Sequence, residues 1–531
     1  MCIRDSFITP SVPFAERRII GMKIRGMKIR RTLALVLAIV TAFSLAACGN
    51  AEPAGDDGSE AKTEIVAALN SVPGNLDISA TMGVALLSVS PHIYDYLIDM
   101  DEDYNFIPAI ATSWERVDDT TWTFECDVSG YTFSNGDPLE MDDIIFSIDH
   151  LYDCAPMASY VSNIEDYYYE GNTLTIKMVE PNQLTIRNIF PTLCPILNKS
   201  YCEEKGEAAF INSECGTGPY KITSYVPGDS IVLERRDDYT GTMPQLNKIT
   251  FKQIDQAANR YIALETGEVQ FANELGYRDY LRAVDNTDLE TYEMAATGLT
   301  FFAFNTSKPP FDDVRVRLAM CYAMDRESWC AITEGVEPLY TMVSSAYVGA
   351  AEKPASSIEF DLDKAKELLE EAGYNESNPL SFEIQIYESS PAAEAYQSTL
   401  RSIGVNASIT MYERGTVTNM CRSGEHGMAL MSLYSVSGSA LFEAGCYRNG
   451  NMRNFALYEN DELDELIHQA EIQPTEEEMN VYINEAHEAA TKYMPFLPVA
   501  NLMLYGAQDS SLQGVLVRPD CSFNFRNAYF A

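Results

Sequence analysis

Between residues 121 and 128 the side chains alternate, Trp122, Phe124, Cys126 and Val128 apolar against Thr121, Thr123, Glu125 and Asp127 polar. This period predicts a strand with one buried and one wet face. The turn-forming run Ser134-Asn135-Gly136-Asp137-Pro138 breaks it. Met141, Ile144, Ile145, Ile148 and Leu151 then fall at helical spacing, with Asp142 and Asp143 near the positive N-terminal end of the helix they predict. Ile231-Val232-Leu233 and residues 249–254 read as strands, and residues 257–265 as a helix closed by Gly267. Residues 299–304 form an apolar strand. After Pro309 and Pro310 a helix places Val314, Leu318, Cys321 and Tyr322 on one face, with Asp312 or Asp313 as its cap. Asp361 is positioned to cap a helix carrying Ala365, Leu368, Leu369 and Ala372 before Gly373. Two later stripes, Leu463, Leu466, Ile467 and Ala470, then Met479, Tyr482, Ile483, Ala486 and Tyr493, predict two more helices, and Thr475 with Glu478 has the form of a capping box. Strands and helices alternate irregularly without a short-period repeat, which predicts a mixed α/β or α+β fold and not a bundle.

One apolar run is of another kind. Residues 32–47, TLALVLAIVTAFSLAA, follow Lys28, Arg30 and Arg31 and precede Cys48. The run is shorter than the roughly 20 residues a spanning helix needs and reads as a signal peptide. Leu45-Ala46-Ala47-Cys48 resembles the lipobox of bacterial lipoproteins. That resemblance implies cleavage before Cys48, diacylglycerol on its thiol, and an anchored mature chain. Residues 1–26 have no place in this plan, since Met27-Lys28-Ile29-Arg30-Arg31 is already a basic start and Met22 to Arg25 repeats Met27 to Arg30. Residues 48–61 then serve as lipid anchor and flexible tether, being without bulky apolar side chains.

Composition narrows the function. The chain of 531 residues carries 78 Asp+Glu against 37 Lys+Arg, a formal net charge of −41, which argues against nucleic acid as a partner. Hydrophobic residues at 46% and aromatics at 11% support large cores and exclude wholesale disorder. Twelve cysteines without a CxxC pair fit neither a disulfide mini-fold nor a zinc ribbon. Free buried thiols are the expectation, with Cys194, Cys202 and Cys215 close enough in sequence to permit one bridge. HExxH, GxSxG and GxxxxGK[ST] are all absent, and five histidines are spread from His92 to His487. An enzyme is disfavoured. His487-Glu488 lacks a second histidine and reads as a solvated helix position, and His426 as part of a polar loop. Asp99, Asp101, Asp103 and Asn105 copy a calcium-loop spacing, but Tyr104 replaces the required glycine, so a turn between strands is expected. Gly216-Thr217-Gly218 runs into Pro219 and not a helix, which predicts a tight turn and no phosphate site.

Several stretches carry a resemblance. They are Ile107 to Glu115 (IPAIATSWE), Tyr131 to Leu139 (YTFSNGDPL), Gly216 to Lys221 (GTGPYK), Pro227 to Arg235 (PGDSIVLER), Thr266-Gly267-Glu268-Val269, Phe304-Asn305, Pro310 to Arg317 (PFDDVRVR), Ala323 to Glu327 (AMDRE) and Asp361 to Tyr374. Together they resemble the family 5 extracellular solute-binding proteins, the oligopeptide, dipeptide and nickel-type receptors of ABC importers. The resemblance implies an α/β, two-lobed periplasmic-binding-protein-like fold (type II, cluster C) with an extra domain inserted in lobe I. Lobe I would combine residues 62–88, 207–297 and 502–531, the extra domain 89–206, and lobe II 298–501. A solute, peptide or peptide-like, would sit in the interlobe cleft, and the closed receptor, a monomer without cofactor or metal, would dock on permease subunits served by ATPases. Its place would be the outer face of the cell membrane, Gram-positive type, or the periplasm. A surface sensor or adhesin using the same cleft, or a receptor for nickel chelates or oligosaccharides, is the alternative.

Peptide-binding members of the family often carry in lobe II a Trp and then an Asp that pairs with the peptide ammonium. The matching stretch here is Leu433-Tyr434-Ser435-Val436-Ser437-Gly438-Ser439-Ala440, without the acid. A buried ammonium without a carboxylate is costly, so Glu443 or another acid must substitute for such a peptide to bind. Tyr434 takes either the aromatic position or a place in the lobe core, and Ser437 and Gly438 fall beside it. Met82, Phe304 and Asn305 are cleft candidates by position, with core packing open for the first two and a backbone turn for Asn305. Arg448 and Arg453 could meet an anionic ligand or simply be solvated.

Overall fold

The computed structural model describes residues 62–531 except 82, 102–103, 213–215, 348, 436–437 and 474. The signal peptide, Cys48, the tether, Met82, Ser437 and Cys215 lie outside the described residues. One mixed sheet of eleven strands organises the chain. From one edge to the other it runs Asn406–Met411, Ser381–Ile386, Met428–Tyr434, Leu289–Phe304, Phe496–Asp509, Phe271–Ala272, Glu64–Leu69, Lys248–Gln253, Ser230–Arg235 and Tyr220–Val226, with Val336–Pro338 added on Phe496–Asp509. The two central strands, Leu289–Phe304 and Phe496–Asp509, are antiparallel and long enough to belong to both halves. On the first-half side, Glu64–Leu69 pairs in parallel with Lys248–Gln253 and with Phe271–Ala272. On the second-half side, Ser381–Ile386 pairs in parallel with Asn406–Met411 and Met428–Tyr434.

A separate antiparallel sheet of four strands, Ala111–Arg116, Thr121–Cys126, Thr173–Met178 and Ile164–Glu170, stands beside the first half. Its Phe124 and Leu174 and the helix residue Ile148 share one hydrophobic cluster with Ile65, Phe251 and Phe271 of the large sheet. In the second half the sheet is covered on both faces: Phe302, Phe304, Leu497 and Val499 point to one cluster, Leu299, Phe301, Ala303 and Phe496 to another. Burial on both sides is why residues 299–304 read as an unbroken apolar run.

Helices start where the polar punctuation puts them. Asp313 caps Val314–Tyr322 by accepting from the Arg315 amide, and Asp361 caps Leu362–Glu371 through the amides of Asp363 and Lys364. Thr475 caps Glu476–Ala490 at the Glu478 amide, while its hydroxyl donates to the Glu478 carboxylate at 2.8 Å. Ile98–Met100 and Phe106–Pro108 flank a turn in which Asp101 accepts from the Asn105 amide, in place of a calcium loop.

Two expectations change. Gly216 and Gly218 are required by close approach and not by a tight turn: a Cβ on Gly216 would lie 2.3 Å from the Ile93 carbonyl oxygen, and one on Gly218 2.4 Å from the Ile93 carbonyl carbon. Gly218 donates its amide to that same oxygen at 2.8 Å, so the GTGPYK segment lies flat on the end of helix Val84–Ile93. His487 is buried, bonded through Nε2 to the Ala350 carbonyl at 3.2 Å, and not on a solvated helix face. His426 is likewise buried, against the Met420 carbonyl. The nine described cysteines outside the masked residues, Cys194 and Cys202 among them, are free thiols.

Candidate ligand-binding site

The central strands lose register where the halves meet. Pairing runs from Leu289 with Asp509 to Ala295 with Met503, then resumes at Leu299 with Asn501. The intervening residues 296–298 are looped out as a bulge, and each part of the bulge ties down a different segment. Ala296 accepts from the Ser344 hydroxyl at 2.6 Å. Thr297 donates its amide to the Pro519 carbonyl at 2.8 Å and its hydroxyl to the Ser435 carbonyl at 2.6 Å, so one residue joins the C-terminal segment to the stretch after Met428–Tyr434. A Cβ at Gly298 would come within 2.8 Å of the Tyr434 ring.

Around this bulge the halves touch through buried and half-buried polar side chains. From the first half come Tyr104, Arg187, Arg518 and Asp520. Tyr104 is buried with φ of 62°, and its ring lies where a Cβ on Gly438 would be, 2.5 Å away. Arg187 donates to the Tyr104 carbonyl at 2.8 Å, lies over the Phe106 ring, and pairs with Glu476 at the start of Glu476–Ala490. Arg518 donates to the Met100 carbonyl at 2.5 Å. Asp520 is only 6% exposed, and burial raises its pKa although Oδ1 accepts the Ser522 amide at 2.8 Å. Its carboxylate lies within electrostatic reach of both Tyr104 and Tyr347.

The second half contributes Tyr347, Ser435, Gly438 and Glu443. Glu443 is fully buried; Oε2 accepts the Ser344 amide at 2.6 Å, and Oε1 has no hydrogen-bond partner among the described residues. Burial pushes its carboxyl up to about 8, against the pull of Arg453. Arg453 itself lies over the Phe442 ring, 3.2 Å from its centroid, and faces Tyr160 of the first half. The seam therefore holds two buried acids, each with an arginine in electrostatic reach, and the Glu443 Oε1, without a partner among the described residues, is open to a hydrogen-bond donor from a ligand.

Of the residues picked from the sequence, Gly438, Glu443 and Arg453 lie at this seam. Tyr434 is 47% exposed and lines, with Trp329, Tyr387 and Leu502, a cavity of about 390 Å³ in the second half. Phe304 is fully buried against Phe311, centroids 5.1 Å apart, and belongs to the core. Asn305 is also fully buried; it donates to the Gly424 and His426 carbonyls at 2.8 and 2.9 Å and accepts from Ser307, a clamp on two loops. Packing and backbone satisfaction thus replace ligand contact for both. Arg448 pairs with Asp464 and Glu471. Sequence reasoning missed Tyr104, Tyr347 and Asp520, which share no motif. A larger cavity, about 740 Å³, surrounds the Arg526–Asp95 ion pair within the first half and does not reach the seam.

The model of the bacterial extracellular solute-binding proteins, family 5 Middle, matches residues 105–443. The chain belongs to that family. It is 23% identical to a dipeptide-binding protein of Escherichia coli K12, over 88% of this chain and 94% of that one. It is 24% identical to heme-binding protein A of Haemophilus influenzae, over 93% and 97%. Among solved structures, HbpA2 from Haemophilus parasuis matches with a TM-score of 0.78 at 21% identity, covering 88% of this chain and all of that one, 100%. The two-lobed α/β fold expected of a family 5 protein is therefore shown. As a family 5 member the chain is an extracytoplasmic solute-binding protein and not an enzyme. No helix among the described residues is long and apolar enough to cross a membrane.

Proposed function

We propose that this protein is a lipid-anchored receptor, held at the membrane through Cys48, that captures a peptide or peptide-like solute at the seam and delivers it to an ABC permease. The two central strands act as its hinge, and residues 89–206 form an extra domain on lobe I. Closure follows population-shift logic: a solute touching both lobes favours the closed state by its differential affinity and by no more.

The observation that carries the peptide reading is Asp520. It supplies, from the C-terminal segment of lobe I, the buried carboxylate that the Tyr434 to Ala440 stretch lacks, and the Tyr104 and Tyr347 rings beside it provide walls for a peptide backbone. An incoming α-ammonium would pair with it and offset the cost of burying its charge.

The test is calorimetry with short peptides, guided by native mass spectrometry of whatever co-purifies. Free-amine peptides are expected to bind more tightly than their N-acetylated forms by about 3–5 kcal/mol, the scale of a broken buried pair. Asp520→Asn should erase most of that gap. An unchanged gap in the variant, or a single non-peptide ligand in the native spectrum, would refute the assignment of Asp520.

A further inference from the structure

Away from the seam, three side chains of different chemistry converge in the first half. Asp77 follows the strand Glu64–Leu69 in a polar turn, where Oδ1 accepts the amides of Ser79 and Ala80 at 2.9 and 3.3 Å. Those bonds leave Oδ2 to face His150, whose Nε2 is 2.8 Å away. His150 stands in the last turn of helix Met141–Asp153, and Cys154, one turn on, brings Sγ to 3.5 Å from the same Nε2. The carboxylate oxygen, the ring nitrogen and the sulfur all lie within 4.8 Å of one another.

Without a cation, Nε2–H donates to the Asp77 carboxylate, and the Cys154 thiol makes only a long contact with the same nitrogen. The three ligand atoms nonetheless face one point, which the His–Asp pair by itself does not require. Asp77 and Cys154 are 4% and 7% exposed, so water does not readily fill the gap, while the His150 side chain, 18% exposed, keeps one edge open to solvent. Phe210 stacks on the ring at 5.3 Å between centroids and fixes its plane.

We propose that Asp77, His150 and Cys154 form a binding site for one divalent cation of the zinc class, with water as fourth ligand at the open edge. A thiolate and an imidazole select a borderline-soft ion over calcium or magnesium, and three protein ligands, two from the end of one helix and one from the turn after the first strand, match a tetrahedral site with one open position. Bond lengths near 2.0–2.3 Å place tetrahedral ligand atoms roughly 3.3–3.7 Å apart, so the His–Cys spacing already fits and the Asp–His spacing opens by about half an ångström. The Ser79 and Ala80 amides on Oδ1 are the outer contacts that keep the carboxylate aimed. Without a cation, burial and the Asp77 charge push the Cys154 thiol up to about 11. On binding, Cys154 releases its proton to solvent, His150 keeps its proton on Nδ1, and the ion staples the turn after the first strand to the helix.

The experiment is a cobalt titration of the purified, chelator-treated protein, followed by zinc displacement. One equivalent of Co²⁺ should produce a thiolate-to-cobalt charge-transfer band that zinc abolishes, and zinc should raise the melting temperature. Cys154→Ser should remove the band, and His150→Gln and Asp77→Asn should each weaken binding about tenfold or more. Circular dichroism of each variant shows that it is folded, and Cys154→Ser, the mildest change, keeps the comparison available if another variant unfolds. A cobalt spectrum without a charge-transfer band, a band that survives Cys154→Ser, or affinity unchanged by His150→Gln in a folded variant would overturn the proposal.

Discussion

Glu443 and His92 set opposite limits on the pH range in which the molecule is most stable. Glu443, in the buried seam, titrates near 8 instead of 4.5. The unfolded chain therefore loses that proton first, and the stabilisation present below pH 4.5 is lost as pH rises through 8. His92 is buried as a neutral ring that accepts the Phe525 amide at Nε2, 3.0 Å, and its pKa falls from 6.5 to about 3. Its contribution, complete above 6.5, is lost as pH falls toward 3, and His426 and His487, each lowered to about 4, act in the same direction. Glu443→Gln is expected to raise the melting temperature at pH 8, by up to a few kcal/mol in stability, and to leave it unchanged near pH 4.5. Melting curves across that range check it, and an effect of equal size at both ends would disprove the assignment. None of this was legible in the sequence: Glu443 stood there only as a spare acid, and the three histidines as isolated polar residues, because burial comes from segments distant in the chain.

Elements with one apolar face were legible. The strand read at 121–128 forms as Thr121–Cys126, the helix at 141–151 as Met141–Asp153, and the helix at 257–265 as Ala257–Glu265. The central strands were read only in part. Leu289–Phe304 begins with Glu290, Thr291 and Glu293, whose polarity hides the strand until residues 299–304 enter the second-half core. The GTGPYK glycines announced a special backbone without saying which kind, since a turn and a close approach both call for the same residue. The contact with Ile93 distinguishes them. Gly218→Ala is expected to cost about 1–3 kcal/mol through overpacking against that carbonyl. Denaturant unfolding measures it, and a loss below 0.5 kcal/mol would mean that the helix end shifts freely.

At the scale of the molecule, function depends on two half-sheets joined by two strands and touching at a few polar points. Gly438 is the tightest of these points, at φ of 62° with the Tyr104 ring against it. Gly438→Ala is expected to hold the lobes apart and weaken solute affinity about tenfold or more, at a cost of about 1 kcal/mol in stability from the positive φ. Small-angle scattering with and without solute reads this directly; compaction equal to that of wild type would reject the role. The candidate site was the least legible part of the sequence, because Tyr104, Tyr347 and Asp520 come from three remote stretches and meet only when the sheet is complete. The aromatic cluster of the first lobe has the same dependence: Phe523 and Phe525 pack on Phe251 and Phe271, and the Phe525 amide fills His92. Until residues 512–530 are in place, the strand Glu64–Leu69 and its neighbours have no finished interior to settle into, and pairings so far apart in sequence form slowly.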